Sequence, residues 1–369
     1  MLVKSINIVS FRNFKSSSVD FCDGVNIIYG RNGAGKSNLL EAIFVLLLGR
    51  SHRGGADAVM VKENAGVYRL EGEVDSGGNE CSIAVAYQTG GRKKITIDRV
   101  GVRAAELFER CTVVSTAPGD MEILSGPPAR RREFINVYLS QASAKYLSNL
   151  GDYSKVLEQK NSFLKQDNSE SDTPYNELLI KYGAAIMLER KRFLDAIAAS
   201  AREHYQKISG GQKLQAIYNP SVHLDGGTVD YEIIERNFRE KLERYKDRER
   251  ILQTALVGPH RDEIDFEIGG FPARTHGSQG ELRTAAISLK LAVFEYLKIV
   301  RKGTPILLLD EIFAELDDNR KERLIESFGE FGQLFLTTAS QVPVMLAEKG
   351  RRFRVENGTI TIETATARE

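Results

Sequence analysis

The chain has 369 residues, a formal net charge of +1, 27% charged residues and 42% hydrophobic ones. That length supports two or three domains with a substantial core, and the near-neutral charge excludes a uniformly basic chain, leaving any nucleic-acid contact to local patches. The longest apolar stretch, Ala42–Leu48, is far below the roughly 20 residues that cross a bilayer, so no membrane association is expected. The start, Met-Leu-Val-Lys-Ser-Ile-Asn, lacks a signal-peptide layout. Cys22, Cys81 and Cys111 show no C-x-x-C spacing, which suits free thiols in a cytoplasmic protein. His52, His204, His223, His260 and His276 are scattered, with no metal-ligand spacing.

The first 120 residues are expected to be rich in strands: Val3–Ile8, Val25–Tyr29, Tyr68–Val74, Cys81–Tyr87, Lys94–Ile97 and one starting at Val113, separated by glycine turns. Within them, Gly30-Arg31-Asn32-Gly33-Ala34-Gly35-Lys36-Ser37 matches the phosphate-binding pattern G-x-x-x-x-G-K-[ST] in full. An apolar strand precedes it, and a helix, Asn38–Leu48, follows and is closed by Gly49. Glycines let backbone N–H groups turn towards phosphate oxygens. Lys36 offers a point charge and Ser37 a hydroxyl for Mg²⁺. This pattern points to ATP and Mg²⁺ as ligands.

From Pro128 to Gln166 the periodicity is helical, and a second helical run extends from Tyr175 to about Ile208. Paired antiparallel, they would form an arm about 50 Å long. A third helix, Tyr231–Leu252, carries mixed charge along a solvated face. After about Ala255 the α/β character returns. Strands are expected at Asp265–Ile268, Pro305–Leu309, Gln333–Thr338 and in a hairpin turning at Asn357-Gly358; helices are expected at Gly280–Val300 and Asn319–Phe328.

Ile306-Leu307-Leu308-Leu309-Asp310-Glu311 supplies the partner that a phosphate loop requires. A buried strand delivers two carboxylates at its carboxyl end: Asp310 for Mg²⁺ and Glu311, the catalytic candidate, to polarise a water. Lys36 and Asp310 lie 274 positions apart, so the nucleotide domain is split in sequence around the arm. Ser278-Gln279-Gly280-Glu281 can be read as a capping box that starts a helix. It can also be read as a signature segment acting in trans on the γ-phosphate held by a second copy. Glu315-Leu316-Asp317 either links two such sites or caps the following helix. Thr337 is a candidate γ-phosphate sensor, because no switch histidine follows its strand.

Arg50 and Arg53, Arg92-Lys93-Lys94, and Arg130-Arg131-Arg132 are local basic patches, the candidates for any DNA contact that the family resemblance given next implies. Residues 126–165 hold seven Lys/Arg against three Asp/Glu, and backbone recognition of this kind would be salt-dependent and independent of sequence.

In this order, these motifs resemble the RecF family of bacterial recombination-mediator ATPases, short-armed relatives of SMC-type proteins. Phe11-Arg12-Asn13-Phe14, Gly49-Arg50-Ser51-His52-Arg53, Gly126–Phe134 and Leu256–Asp262 extend the resemblance over essentially the whole chain. It implies an α/β ABC-type ATPase head with a mixed sheet, split into residues 1–125 and 253–369, and a helical arm at 126–252. It also implies an ATP-dependent homodimer on gapped or double-stranded DNA that acts with RecO and RecR to load RecA, and slow ATP hydrolysis. The alternatives are an ATP-binding subunit of a transporter, which rarely admits such an arm, and a non-hydrolysing SMC-like clamp, for which no long heptad array is present.

Overall fold

The computed structural model describes residues 1–166, 172–224, 230–313, 316–326, 331–339 and 350–363. The chain divides into two compact units. One comprises Met1–Asp120, Lys207–Gly210 and Leu289–Glu369; the other comprises Met121–Gln206 and Gly211–Ser288.

The first unit holds two sheets. An antiparallel sheet runs in the order Phe14–Asp20, Ser5–Phe11, Val67–Ser76, Asn79–Gln88, Lys94–Ile97, Val100–Val102, with Leu2–Val3 added beside Val67–Ser76. The other sheet runs Thr359–Glu363, Gly350–Glu356, Val25–Tyr29, Leu334–Thr338, Ile306–Leu309, Val113–Thr116. All its pairings are parallel except the terminal hairpin. Its inner strands Ile306–Leu309 and Leu334–Thr338 are buried along their whole length, as expected of parallel strands covered on both faces.

The helix Lys36–Leu48 is apolar nearly all round, as expected of a helix with no solvent face. It packs against strands of both sheets, so its burial fixes the phosphate loop at its N-terminus. The Gln333 side chain ties the two sheets together. Its amide accepts from Val3 N at 2.7 Å and donates to the Val3 and Cys22 carbonyls at 2.8 and 2.9 Å.

The second unit carries the helices Pro128–Ala142, Ala144–Leu164 and Tyr231–Leu252 and most of Thr173–Ser209. The expected helix over 128–166 is two helices. Ser143 is extended at φ −143° and its hydroxyl accepts from Tyr146 N at 3.1 Å, capping the second helix. A small antiparallel sheet, Leu214–Asn219, Glu263–Ile268 and Phe271–Pro272, completes the unit. Its first strand has no clear alternation and escapes sequence reading.

Buried charge holds the helices together. Arg190, 2% exposed, donates to Asp262 (2.9 Å), the Pro259 carbonyl (2.6 Å), Asn136 (3.0 Å) and Tyr146 (3.3 Å). Tyr218 and Ser221 N donate to the same Asp262 carboxylate. Lys160 pairs with Glu249 at 2.5 Å and stands 3.8 Å from Asp172.

Candidate functional site

The phosphate loop leaves its strand at Tyr29 and enters its helix at Lys36. Gly30 has φ 153° and lies so close to the Val355 carbonyl that any Cβ would collide with it. Gly35, at φ 119°, would place a Cβ 2.6 Å from Asn13 Nδ2. Both glycines are therefore required by close approach as well as by conformation. Asn13 donates to the Ala34 carbonyl at 2.8 Å and accepts from Asn38 at 2.9 Å, bracing the loop from the Phe11–Phe14 hairpin. Arg31, Asn32 and Gly33 form the exposed tip of the loop.

Strand order explains the chemistry opposite. Leu334–Thr338 lies between the loop strand and the carboxylate strand, with Leu336 paired to Leu309 and Thr337 paired to Ile28. Thr337 thus arrives beside Asp310, one step beyond the last paired residue. Its hydroxyl donates to Asp310 Oδ1 at 2.7 Å and accepts from Glu311 N at 2.8 Å. Ser37 Oγ donates to the same Asp310 oxygen at 2.7 Å. The Lys36 ammonium, only 4% exposed, lies 3.0 Å from Glu311 and 3.0 and 3.3 Å from the Gly30 and Arg31 carbonyls. Glu311 itself has φ 49°, a left-handed conformation costly for this residue type.

Electrostatics separate the carboxylates. Burial pushes the Asp310 carboxyl above its ordinary range, against the opposing hydrogen bonds from Thr337 and Ser37. Glu41, fully buried on the loop helix, is also pushed up by burial. In its case, hydrogen bonds from Arg12 (2.7 and 2.9 Å) and Ser51 (2.6 Å) and the nearby Arg53 outweigh burial and hold it below the usual value. Arg53 stands 3.5 Å from Glu41 and 3.9 Å from Asp310. Among the described residues no cluster of three or more His, Cys, Asp or Glu could hold a metal by itself. Ser37 and Asp310 fit a Mg²⁺ that draws its other oxygens from phosphates and water.

The structure thus gathers Gly30–Ser37, Asp310, Glu311 and Thr337. Thr337, the γ-phosphate sensor candidate, is fully buried, with its hydroxyl hydrogen-bonded to Asp310 Oδ1 and Glu311 N beside the carboxylate pair. Leu316 is buried, and Asp317 caps the helix Asp318–Glu326 by accepting from Arg320 N at 2.9 Å; Glu315 lies outside the described residues. Arg131 needs correction as a DNA contact. It is 3% exposed, with its guanidinium on Glu263 (2.6 and 2.9 Å) and the Gly126 carbonyl (2.7 Å). Of its neighbours, Arg132 donates to the Asp262 carbonyl at 2.9 Å and Arg130 pairs with Glu122 at 2.8 Å. Arg50 is half-buried. Sequence reading did not identify Arg12, Asn13 and Glu41 as supports of the loop, since nothing in a short Arg-Asn turn announces what it touches.

In the second unit Ser278 heads the helix Gln279–Val300 as the capping box predicts. Ser278 N and Oγ donate to Glu281 at 2.9 and 2.8 Å, and Gln279 and Gly280 form the first turn. Another segment, Ile208-Ser209-Gly210-Gly211-Gln212, spells a closer match to an ABC signature. It sits at the wrong end of a helix: Thr173–Ser209 terminates there, with Gly210 and Gly211 at φ 82° and 125°. Carbonyls rather than N–H groups are left over at a helix C-terminus, so this segment cannot cradle an anion.

Comparison with known proteins agrees with this architecture. The family described as RecF/RecN/SMC N terminal domain matches residues 2–361. The DNA replication and repair protein RecF of Symbiobacterium thermophilum is 34% identical over 377 residues, covering 98% of this chain and 99% of that protein. The solved structure of the recombination mediator protein RecF-ATP in the RecFOR pathway is 33% identical, with a TM-score of 0.90 and coverage of 98% of this chain and 97% of that one. An Smc head bound to the C-winged helix domain of ScpA, at 18% identity, TM-score 0.58 and coverage of 98% and 97%, shares the fold. With its ABC-type ATPase fold, its phosphate loop facing a distant carboxylate strand, and this full-length similarity, the chain belongs to the RecF family.

Proposed function

We propose that this chain is an ATP-dependent DNA-binding protein of recombinational repair and replication restart, in which ATP joins two copies on gapped or duplex DNA. One observation carries the reading: the 2.7 Å hydrogen bond between Ser37 and Asp310, 273 positions apart. A hydroxyl and a carboxylate meeting beside a glycine-lined loop and a buried lysine are what a magnesium-bound triphosphate requires. In this reading residues 1–125 and 253–369 form the ATPase head and 126–252 the arm.

Bound Mg²⁺ would offset the charge of the outer phosphates. Loop N–H groups and the start of the helix Lys36–Leu48 hold phosphate oxygens, and Lys36 exchanges Glu311 for them. Glu311 then accepts the proton of an attacking water, while Thr337 and Ser37 keep Asp310 in place. Ser278 and Gly280 of a second copy close the site over the γ-phosphate, with Glu315-Leu316-Asp317 linking the paired sites. Arg50, Arg53, Arg92-Lys93-Lys94, Arg130 and Arg132 are the remaining candidates for DNA contact. Family membership supports action with RecO and RecR in loading RecA.

The test is ATP turnover and sedimentation mass, with and without gapped DNA, across a salt series. ATP should double the mass, DNA should stimulate a slow turnover, and DNA affinity should fall as salt rises. Glu311→Gln should trap the dimer; if that variant stays monomeric at saturating ATP, the composite site is wrong. ATP-dependent dimers with no turnover on gapped DNA would instead favour the clamp.

A further inference from the structure

A tight bend at Pro259–Arg261 folds the chain back towards the Ala255 carbonyl. Arg261 donates to that oxygen from Nε at 3.2 Å and from Nη2 at 2.8 Å, and His260 Nε2 lies 3.1 Å from it. Tyr153 Oη stands 2.6 Å from His260 Nδ1, and a Cβ on Gly258 would collide with the same hydroxyl, so the bend is braced where it carries Arg261. From the helix Pro128–Ala142, Arg132 donates Nη1 to the Asp262 carbonyl at 2.9 Å. All of these residues belong to one compact unit. Arg261 stands in no basic run, so only the fold brings it beside Arg132.

The two carboxylates that follow the bend are already taken. Asp262 holds Arg190 at 2.9 Å and Glu263 holds Arg131 at 2.6 Å. Among the described residues Arg132 and Arg261 form no ion pair and donate only to the two carbonyls. Arg132 keeps its Nε–Nη2 edge, and Arg261 its Nη1, without a protein acceptor. Arg261 is exposed and Arg132 half-buried. Burial first, then the charges of Arg190 and Arg261, loosen the Arg132 proton. A half-buried cation loses solvation that a carbonyl dipole repays only in part, so the missing partner is an anion. We propose that Arg132 and Arg261 form one phosphate-binding pair that takes backbone phosphates of DNA, resting on the reading that this chain binds DNA. A guanidinium edge matches the spacing of two phosphate oxygens, and each arginine is already anchored at its other side, so little side-chain freedom is lost on binding. Such a pair holds the backbone and reads no base.

The decisive experiment titrates the full chain, with ATP present, against a labelled mixed-sequence duplex and a gapped version of it across a salt series. Arg132→Gln and Arg261→Gln should each weaken binding about tenfold, as loss of a charge-assisted hydrogen bond predicts. Each should also lower the slope of log affinity against log salt by about one, and the double variant by about two. Arg132→Lys should keep the slope and lose part of the affinity, because lysine carries the charge without the edge. Arg239→Gln is the control. It removes the same charge from the same unit, but from a cation matched by Glu177 and Glu235 at 2.9 and 3.1 Å, and should change neither quantity. Arg132→Gln should melt no lower than wild type, since the charge it removes is unmatched.

A double variant that binds both DNAs with wild-type affinity and slope would overturn the pair, and so would an Arg239→Gln chain weakened as much as Arg132→Gln. Arg261→Gln, at an exposed side chain, carries the same test should the double variant melt early. A wild-type chain with no salt-dependent binding to either DNA would overturn the DNA-binding reading and the pair with it. Normal wild-type binding beside an unaffected double variant would remove the pair alone.

Discussion

The phosphate-loop region and the helical unit both bury charged side chains, and they complete them differently. Arg190 and Asp262 are both buried and sit in a protein-only set, hydrogen-bonded to each other and to Tyr146, Pro259, Asn136, Tyr218 and Ser221, so a new partner would have to displace one of these. Around Lys36 the set is open. Its counter-charge Glu311 is 23% exposed and held at a left-handed φ, and Arg53, 36% exposed, hovers between two carboxylates. A closed network specifies how helices pack; an open one holds charges that can change partners. The difference teaches where stability is spent on shape and where it is held back for a ligand.

The comparison can be broken most sharply at Arg190. Arg190→Met leaves Asp262 buried without its cation and should cost about 3–5 kcal/mol of folding stability, read by denaturant unfolding. An Arg190→Met/Asp262→Leu chain should recover part of that loss. A cost below about 1 kcal/mol for the single change would mean the network is not closed.

Lys36→Ala removes the loop charge instead. Nucleotide affinity, measured by calorimetry, should fall at least about tenfold, the effect of losing roughly 1.4 kcal/mol of interaction. The melting temperature should barely move, because Lys36 is part of the open set. A large loss of stability would erase the distinction between the two regions.

Asp310→Asn tests the same point with the opposite sign. Burial raises the Asp310 carboxyl, so the ionised form is worse solvated folded than unfolded. This group favours the fold at acid pH, and that contribution disappears as pH rises through its raised value. At neutral pH Asp310→Asn should therefore melt higher than wild type while binding magnesium nucleotide more weakly. An Asn chain that melts lower would show that the Ser37 and Thr337 hydrogen bonds dominate.

The smallest effect concerns His52, whose ring nitrogens are buried with no hydrogen-bond partner and whose pKa burial pulls down to about 3. The unfolded chain takes up this proton near 6.5, so stability should decline as pH falls from that value towards 3. His52→Phe, packed on Phe44, should flatten that decline in melts between pH 7 and 5.

Much of the site was legible because its parts are local. The loop glycines, Lys36 and Ser37 form one motif, and an apolar strand ending in Asp310-Glu311 is a contiguous signal. Helix ends were also readable where a capping box or a mixed-charge helix marked them. Legibility stopped where partners are remote. Thr337 became a support for Asp310 only through strand order and a one-residue register step. Arg131 looked like surface charge within a basic run and proved to be an internal ion pair, because a run of arginines does not say which one faces inwards.

By itself the sequence determined the nucleotide loop, its carboxylate partner, the helical insertion and the family, all carried by short motifs or periodicity. Tertiary structure alone showed which helix end each of two serine–glycine segments occupies. Ile208–Gln212 has the better letters, but it ends a helix, where carbonyls point outwards; Ser278–Glu281 begins one, where N–H groups do. Which end of a helix a motif occupies is a fact of backbone direction, and only the fold supplies it.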